Sequence, residues 1–370
     1  MKIGIDARLI KQTGVGRYIR NLINEISLID NQNDYYVFLN DDAFPGFILP
    51  NDRWHKIPVN LHWHTVKEQL LFPVILNRYR LDLVHVPYFN IPLFYFGKII
   101  VTIHDLTVVH LDTGKASTLP RPIYLLKKAG LLILLYLGLR KAGKVLTVSK
   151  TSKDEITGHF GIDPDKICVT YEGVDRDLIK LIKQEKNQKP VRKDPYLLYV
   201  GNAYPHKNLE FLIKTYLSHR IISEKYSLVL TGKKDVFYRQ LETELSGKVS
   251  AAKIIFWGEA DERTLANLYL NAACFVFPSL MEGFGLPAFE ALAAGTKVIV
   301  SDIPIFHELL GDSAGYFNPR NEKSLVTALE NALKTGKSDQ PPADVISGCY
   351  SWKQMASQTL AVYQNSQDHL

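Results

Sequence analysis

Short apolar runs recur along the chain, and each is followed by a longer stretch in which apolar residues return every three or four positions. That alternation predicts buried parallel strands covered by helices on both faces. In the first half the predicted strands are Lys2 to Asp6, Tyr35 to Leu39, Leu83 to Val86, Lys98 to Ile103, Lys144 to Val148 and Ile167 to Thr170. In the second half they are Tyr196 to Val200, Ser227 to Thr231, Lys253 to Phe256, Cys274 to Pro278 and Lys297 to Ser301. The shared rhythm predicts an α/β protein of two doubly wound parallel-sheet domains. A polar, lysine-rich stretch interrupted by Pro190 and Pro195 sets the division. The expected first domain covers residues 1–175, a linker 176–195, the second domain 196–349 and a closing helix 350–370. The strands' carboxyl ends would face a central cleft, so chemistry is expected on the loops that leave them.

Composition refines this only slightly. At 370 residues with 46% hydrophobic and 22% charged positions, the chain supports two ordinary cores and is far from disorder. Cys168, Cys274 and Cys349 are widely separated, which argues against a zinc site or a disulfide framework and favours a reducing compartment. The opening residues read as a strand rather than a signal peptide, so a cytoplasmic location is expected. The formal charge is +6, unevenly spread: residues 1–189 hold 26 Lys and Arg against 19 Asp and Glu, the remainder 18 against 19. An anionic partner of the first half, a phospholipid surface or a phosphorylated acceptor, would explain the excess, and plain solubility would too. Nucleic acid is not among the expected partners.

In the first half, Gly14 and Gly16 open a helix after the first strand, where free amides attract anions; a tight turn without a ligand is the alternative. Ile19 stands where a dinucleotide fingerprint needs a small residue, which disfavours NAD. His104 and Asp105 end a strand, placing an imidazole and a carboxylate at the cleft-facing edge. The ring there either contacts a sugar hydroxyl or caps the loop. From Ile123 to Lys144 runs an apolar segment flanked by Arg121, Lys127, Lys128, Arg140 and Lys141, expected to be too short and interrupted to span a bilayer. It reads as a helix buried against the sheet or one lying on an anionic membrane surface.

In the second half, Gly201 and Asn202 lead to Lys207, and Gly232 with Lys233 forms another basic turn on the same edge. Together they suggest an anion site, with plainly solvated surface lysines as the alternative. The segment PSLMEGFGLPAFEALAAG at 278–295 follows a strand directly. Its Gly283 and Gly285 expose backbone amides before a helix opened by Pro287, so the stretch Gly283, Phe284, Gly285 and Leu286 invites an anion. Glu282 and Glu290 lie eight positions apart, one in the loop and one in the helix. One can take a sugar hydroxyl and the other a ribose; a capped helix with two solvated glutamates is the alternative.

These residues resemble glycosyltransferase family 4, whose two-glutamate motif is similar to Glu282-GFGLPAF-Glu290. Support extends through Gly14 to Gly16, His104-Asp105, LTVSK at 146–150, YEGVD at 171–175, Gly201 with Lys207, and Tyr350-Ser351-Trp352. The resemblance implies a GT-B fold of two Rossmann-like domains and a retaining transferase using a nucleotide-diphosphate sugar. It implies catalytic roles for His104 and Glu282, ribose contact for Glu290 and diphosphate contact for Lys207. Many members carry arginine where Asn202 stands, so Lys233 or Arg17 would have to complete the phosphate clamp. No cofactor or metal is expected: Asp163-Pro-Asp165 and Asp175-Arg-Asp177 have DxD spacing but fall in a proline turn and at the linker. The opening MKIGIDARLI with GVGRYI resembles bacterial mannosyltransferase-like members that build polysaccharide. GDP-mannose is therefore the expected donor, with a UDP-sugar next, and the acceptor a glycan or lipid-linked saccharide. A nucleotide-sugar epimerase of the same fold and a non-catalytic saccharide-binding relative are the rival classes.

Overall fold

The computed structural model describes residues 1–63, 65–110, 120–245, 253–334 and 350–366; Cys349 lies outside them. The chain divides into two compact units, each built on an all-parallel sheet. The first sheet orders its strands β3-β2-β1-β4-β5-β6-β7. In chain order these are β1 Lys2–Asp6, β2 Asp34–Leu39, β3 Trp54–Pro58, β4 Leu83–Val86, β5 Ile99–Ile103, β6 Lys144–Thr147 and β7 Ile167–Val169. The second sheet runs β10-β9-β8-β11-β12-β13. Its strands are β8 Tyr196–Val200, β9 Ser227–Thr231, β10 Ile254–Gly258, β11 Cys274–Phe277, β12 Val298–Ser301 and β13 Gly315–Phe317. Strand order reverses between β1 and β4 and between β8 and β11, the positions beside which open α/β sheets hold ligands.

Central strands such as β4, β5, β9 and β11 are buried along their whole length, so each is a continuous apolar run that the sequence displays. The two unpredicted strands, β3 and β13, lie at sheet edges. In β3 only Trp54 is buried, and β13 has three residues, so neither shows such a run.

The expected linker is a second departure. Residues Arg176–Glu185 form a helix of the second unit with Leu178 and Ile182 buried. Glu185 meets Arg263 at 3.3 Å and accepts from Asn267 Nδ2 at 3.1 Å. Asn267 also bonds the backbone at Lys189 and Val191. The lysines of this stretch decorate an amphipathic helix, and apolar positions four apart fasten it down.

In the first unit the helix Gly14–Ile29 packs against the closing helix Trp352–Asn365. Tyr363 of that helix bonds the buried His85 Nδ1 at 2.6 Å, and His85 Nε2 meets Thr102 Oγ1 at 2.7 Å. Burial holds His85 neutral, its pKa pushed down to about 3, and His104 nearby adds to the effect. The helices Val66–Arg78 and Arg121–Lys141 cross from β3 to β4 and from β5 to β6, stepping the same way along the sheet. Right-handed crossovers place both on the face opposite Gly14–Ile29.

The apolar helix corrects two expectations. At 21 residues Arg121–Lys141 is long and apolar enough, by length and composition, to cross a membrane. It nevertheless joins two hydrogen-bonded parallel strands, so it lies along their sheet. Nor is it packed all round: among its residues Leu135, Gly138 and Leu139 are buried, and most of the rest are exposed. A single stripe suffices to cover the sheet.

Just after β1, Arg8 binds Asp6 through two hydrogen bonds of 2.8 and 2.6 Å and meets Glu68 Oε1 at 2.7 Å. Its guanidinium lies 4.0 Å from the Phe72 ring centroid. Burial opposes the charge, yet the two carboxylates outweigh it and hold Arg8 protonated.

Candidate functional site

The second unit gathers three of the predicted loops at the carboxyl ends of β8, β9 and β11. After β8, Gly201 and Asn202 turn outward, with the Tyr199 hydroxyl donating to the Asn202 carbonyl at 2.6 Å. A short 3-10 turn, Pro205–Lys207, then delivers Lys207, and Asn208 enters the left-handed region before the helix Leu209–Ser218. The β9 turn presses against this one. A Cβ on Gly232 would stand 1.9 Å from the Gly201 carbonyl oxygen, a distance no side chain tolerates. Glycine at 232 therefore sets the spacing of the two turns, and the exposed Lys233 follows it directly in the chain.

The loop after β11 completes the group. Leu280 N–H donates to the His206 carbonyl at 2.7 Å, tying this loop to the Lys207 turn. Lys207 Nζ donates to Glu282 Oε1 at 2.7 Å, with side-chain exposures of 16% and 9%. The ammonium also lies 5.5 Å from the Phe277 ring centroid. Thus a cation and a carboxylate 75 positions apart meet at the strand ends. A carboxylate offers about four acceptor sites, so Lys207 leaves Glu282 capacity for a hydroxyl. Gly283, Phe284 and Leu286 are buried, and Phe284 stacks on Phe289 at 4.9 Å. Gly285 has φ of +88°, and a Cβ there would meet Phe306 at 2.7 Å. That turn starts the helix Leu286–Ala293, whose first amides lie next to Glu282 in sequence.

Glu290 behaves differently from Glu282. It is buried in that helix and accepts from the Tyr269 hydroxyl at 2.8 Å. Sequence spacing placed both carboxylates near the loop but carried no sign of Tyr269, which comes from the helix Glu262–Asn271. Ser279, also unforeseen, is fully buried in the β11 loop with a hydroxyl that meets no hydrogen-bond partner. Burial raises the Tyr199 phenol well above its ordinary pKa, with Tyr238 and then Glu282 adding to the effect.

In the first unit, Gly16 is buried under the turn at Leu9 and Ile10, whereas Gly14 faces open space. His104 follows β5. Its Nε2 faces the Pro87 carbonyl at 3.1 Å, so this nitrogen carries a proton, and Nδ1 lies 3.4 Å from Glu172 Oε1. Tyr18 packs edge-on at 4.8 Å. The ring is thus held as a loop cap, by partners that sequence alone did not indicate. Asp105 accepts from Thr107 N–H at 2.8 Å and caps the short turn after it. Of the DxD candidates, Asp163 accepts from Asp165 N–H at 2.9 Å and Asp177 pairs with Lys180 at 2.9 Å. Among the described residues no three His, Cys, Asp or Glu cluster as a metal site would require.

Residues 13–178 match the family described as Glycosyltransferase Family 4, and residues 182–343 match Glycosyl transferases group 1. The O-antigen chain mannosyltransferase RfbU of Salmonella typhimurium is 33% identical over 276 residues, covering 73% of this chain and 70% of that protein. Sucrose-phosphate synthase from Thermosynechococcus elongatus superposes with a TM-score of 0.77 at 18% identity, over the whole of both chains. Anabaena Alr3699/HepE, solved in complex with UDP-glucose, superposes with a TM-score of 0.74 at 17% identity, over 99% of this chain and 100% of that one. With paired parallel sheets, a two-glutamate loop and these likenesses in place, the chain belongs to glycosyltransferase family 4 and has the GT-B fold.

Proposed function

We propose that the protein transfers mannose from GDP-mannose to a glycan or lipid-linked acceptor in polysaccharide assembly, with retention of anomeric configuration. The observation that carries this reading is the 2.7 Å meeting of Lys207 and Glu282 at the strand ends beside the β8/β11 switch point. Mannose is supported by the likeness to RfbU; a UDP-sugar is the second reading, supported by the likeness to HepE.

In the reaction the acceptor hydroxyl oxygen bonds the anomeric carbon as the bond from that carbon to the diphosphate oxygen breaks. The departing diphosphate takes the acceptor's proton, so no enzyme nucleophile is used. Negative charge grows on the leaving group, and preorganised donors lower the barrier most where that charge develops. Lys207 and the amides of Gly283 to Leu286 meet it. Lys233, next in the chain to the Gly232 that presses on the Gly201–Asn202 turn, supplies the second cation that Asn202 cannot. Glu282 accepts from a sugar hydroxyl while Lys207 neutralises it. Glu290 takes the ribose, with Tyr269 orienting its carboxylate. His104 stands near the acceptor, held by Pro87 and Glu172. No metal enters the scheme. The enzyme works in the cytoplasm, with residues 121–144 against an anionic membrane.

The deciding experiment pairs a thermal-shift screen of GDP, UDP and ADP with mass spectrometry of products formed from GDP-mannose. GDP should raise the melting temperature most, and mannosyl product should form equally with EDTA present. Preference for UDP moves the donor to the second reading. Interconverted sugar nucleotide without acceptor would establish an epimerase, and donor binding without turnover on any acceptor a non-catalytic relative.

A further inference from the structure

We infer that the first unit docks on an anionic lipid surface through a whole face built from three segments, of which the helix Arg121–Lys141 is one. The inference deepens the peripheral contact proposed for residues 121–144 and rests on it.

The other two segments are the helix Val66–Arg78 and the turn at 90–98. Gln69 bonds that turn twice, Nε2 donating to the Ile91 carbonyl at 3.1 Å and Oε1 accepting from Leu93 N–H at 3.0 Å. From the other side Lys141 donates to the Leu93 carbonyl, and a Cβ on Gly138 would meet Ile91 at 2.5 Å. The turn is therefore wedged between two helices that cover the same sheet face. Each segment points apolar side chains outward. In Val66–Arg78, Glu68, Phe72 and Leu76 face the core, while Val66, Leu70 and Val74, four apart, are at least half exposed. Phe96 on the turn is 89% exposed and Phe94 54%. Leu126 and Ile133 on the long helix are 75% and 60% exposed. Single apolar residues on a surface are ordinary; a joined set on three neighbouring segments marks an interaction face.

Charge decides what the face receives. Segments 65–80, 90–98 and 120–144 carry ten Lys and Arg and a single acid, Glu68, which is buried against Arg8. The rest of residues 1–189 holds 16 basic against 18 acidic residues. The positive excess of the first half therefore resides in these three segments. Lys98 and Lys144 turn to main-chain carbonyls, but Lys67, Arg121, Lys127 and Arg140 are exposed beside the apolar residues. Lys141 Nζ lies 5.0 Å from the Phe96 ring centroid, joining the two chemistries. Apolar side chains amid cations suit the headgroup boundary of anionic lipid, where such elements sink by about 5–10 Å. A second copy is a poorer occupant, because a two-fold contact would set the same cations against each other.

The test is co-sedimentation of the full chain with vesicles of phosphatidylglycerol and phosphatidylcholine (3:7) or of phosphatidylcholine alone. Wild type should bind the anionic vesicles at least about tenfold more tightly than the neutral ones and release them in high salt. F94S/F96S, L70S/V74S and L126S/I133S should each weaken binding by at least about fivefold, with melting temperature unchanged because these side chains are exposed. If only L126S/I133S weakens binding, contact is confined to the helix and the three-segment face is refuted. If wild type does not bind anionic vesicles, the face and the peripheral contact both fall. A wild-type dimer that these variants render monomeric would assign the face to a second copy and also overturn the inference. Transfer to a soluble acceptor, measured on wild type and the same variants, tests the transferase reading separately: transfer by a wild type that ignores anionic vesicles would sink the face alone, and loss of transfer by a wild type that binds them would sink the transferase reading alone.

Discussion

Lys207 and Glu282 hold each other in this structure and are also the groups assigned to the donor, so single substitutions at either confuse two roles. At 2.7 Å and an effective dielectric near 20, their attraction is roughly 6 kcal/mol before desolvation. Desolvation cancels most of that for side chains only 16% and 9% exposed, and losing one partner leaves the other charge poorly solvated. A net cost of about 2 kcal/mol for Glu282→Gln or Lys207→Met is expected, a fall of roughly 4–8 °C in the melting of a unit this size. The loss of kcat/KM should be larger, about 10²–10³-fold, because each group meets charge or hydroxyls of the reacting donor.

The double variant separates the roles. With both charges gone no unpaired ion remains, so K207M/E282Q should recover at least about half of the lost stability. Its activity should stay at or below that of the weaker single variant. The assay is a thermal melt beside nucleotide release from GDP-mannose, run on wild type, both singles and the double. Recovery of activity together with melting temperature would show that the pair is only a structural clasp, and the donor assignment would fail.

Lys233→Met should raise donor KM about tenfold without moving the melting temperature, and adding Asn202→Arg should restore it; an unchanged KM in the single variant removes Lys233 from the clamp. Gly14→Ala meets open space and should leave stability within about 1 kcal/mol of wild type, whereas Gly16→Ala meets the Ile10 carbonyl oxygen at 2.4 Å and should cost about 1–3 kcal/mol, read by melting. An increase in donor KM in a stable Gly14→Ala would favour a ligand at that helix start over a simple turn. His85 has a pKa near 3 when folded and the ordinary imidazole value when unfolded, so the unfolded state binds more protons between them. Stability from this group should rise with pH from about 3 to 6.5 and stay level above. His85→Gln should flatten that rise in melting temperature between pH 5 and 6.5, and an identical slope in both proteins would refute the assignment.

Most strands legible in the sequence were those buried on both faces, where the fold demands an unbroken apolar run; the edge strands β7 and β10 were legible too, because each still carries a short apolar run. Trp54–Pro58 and Gly315–Phe317 escaped because WHKIP and GYF show no apolar run, and Arg176–Glu185 reads as a linker because its lysines outweigh a two-residue buried stripe in any compositional reading. Site residues divided similarly. A loop that leaves a strand at the switch point is fixed by local sequence, so Lys207 and Glu282 could be singled out from it, and the structure brings the two side chains together. Partners supplied by other elements were not legible: Tyr269 for Glu290, Pro87 and Glu172 for His104. Nothing near 290 or 104 encodes them, since those contacts arise from packing between distant segments.

Charge shows how the two levels combine. The +7 of residues 1–189 and the apolar stretch after Arg121 were separate facts in the sequence, each with an ordinary explanation. Right-handed crossovers from β3 to β4 and from β5 to β6 put their helices on one side of one sheet, and the basic residues travel with them. Residues 190–370, with 18 basic against 19 acidic, carry almost no net charge with which to draw the proposed anionic donor from a distance. Capture there must come from groups already in place within a few ångströms, and at physiological salt a field would be screened beyond about 8 Å in any case. On the proposed reading, the close Lys207–Glu282 pair in one unit would grip a nucleotide sugar and the cationic apolar face of the other would hold an anionic surface, both at short range.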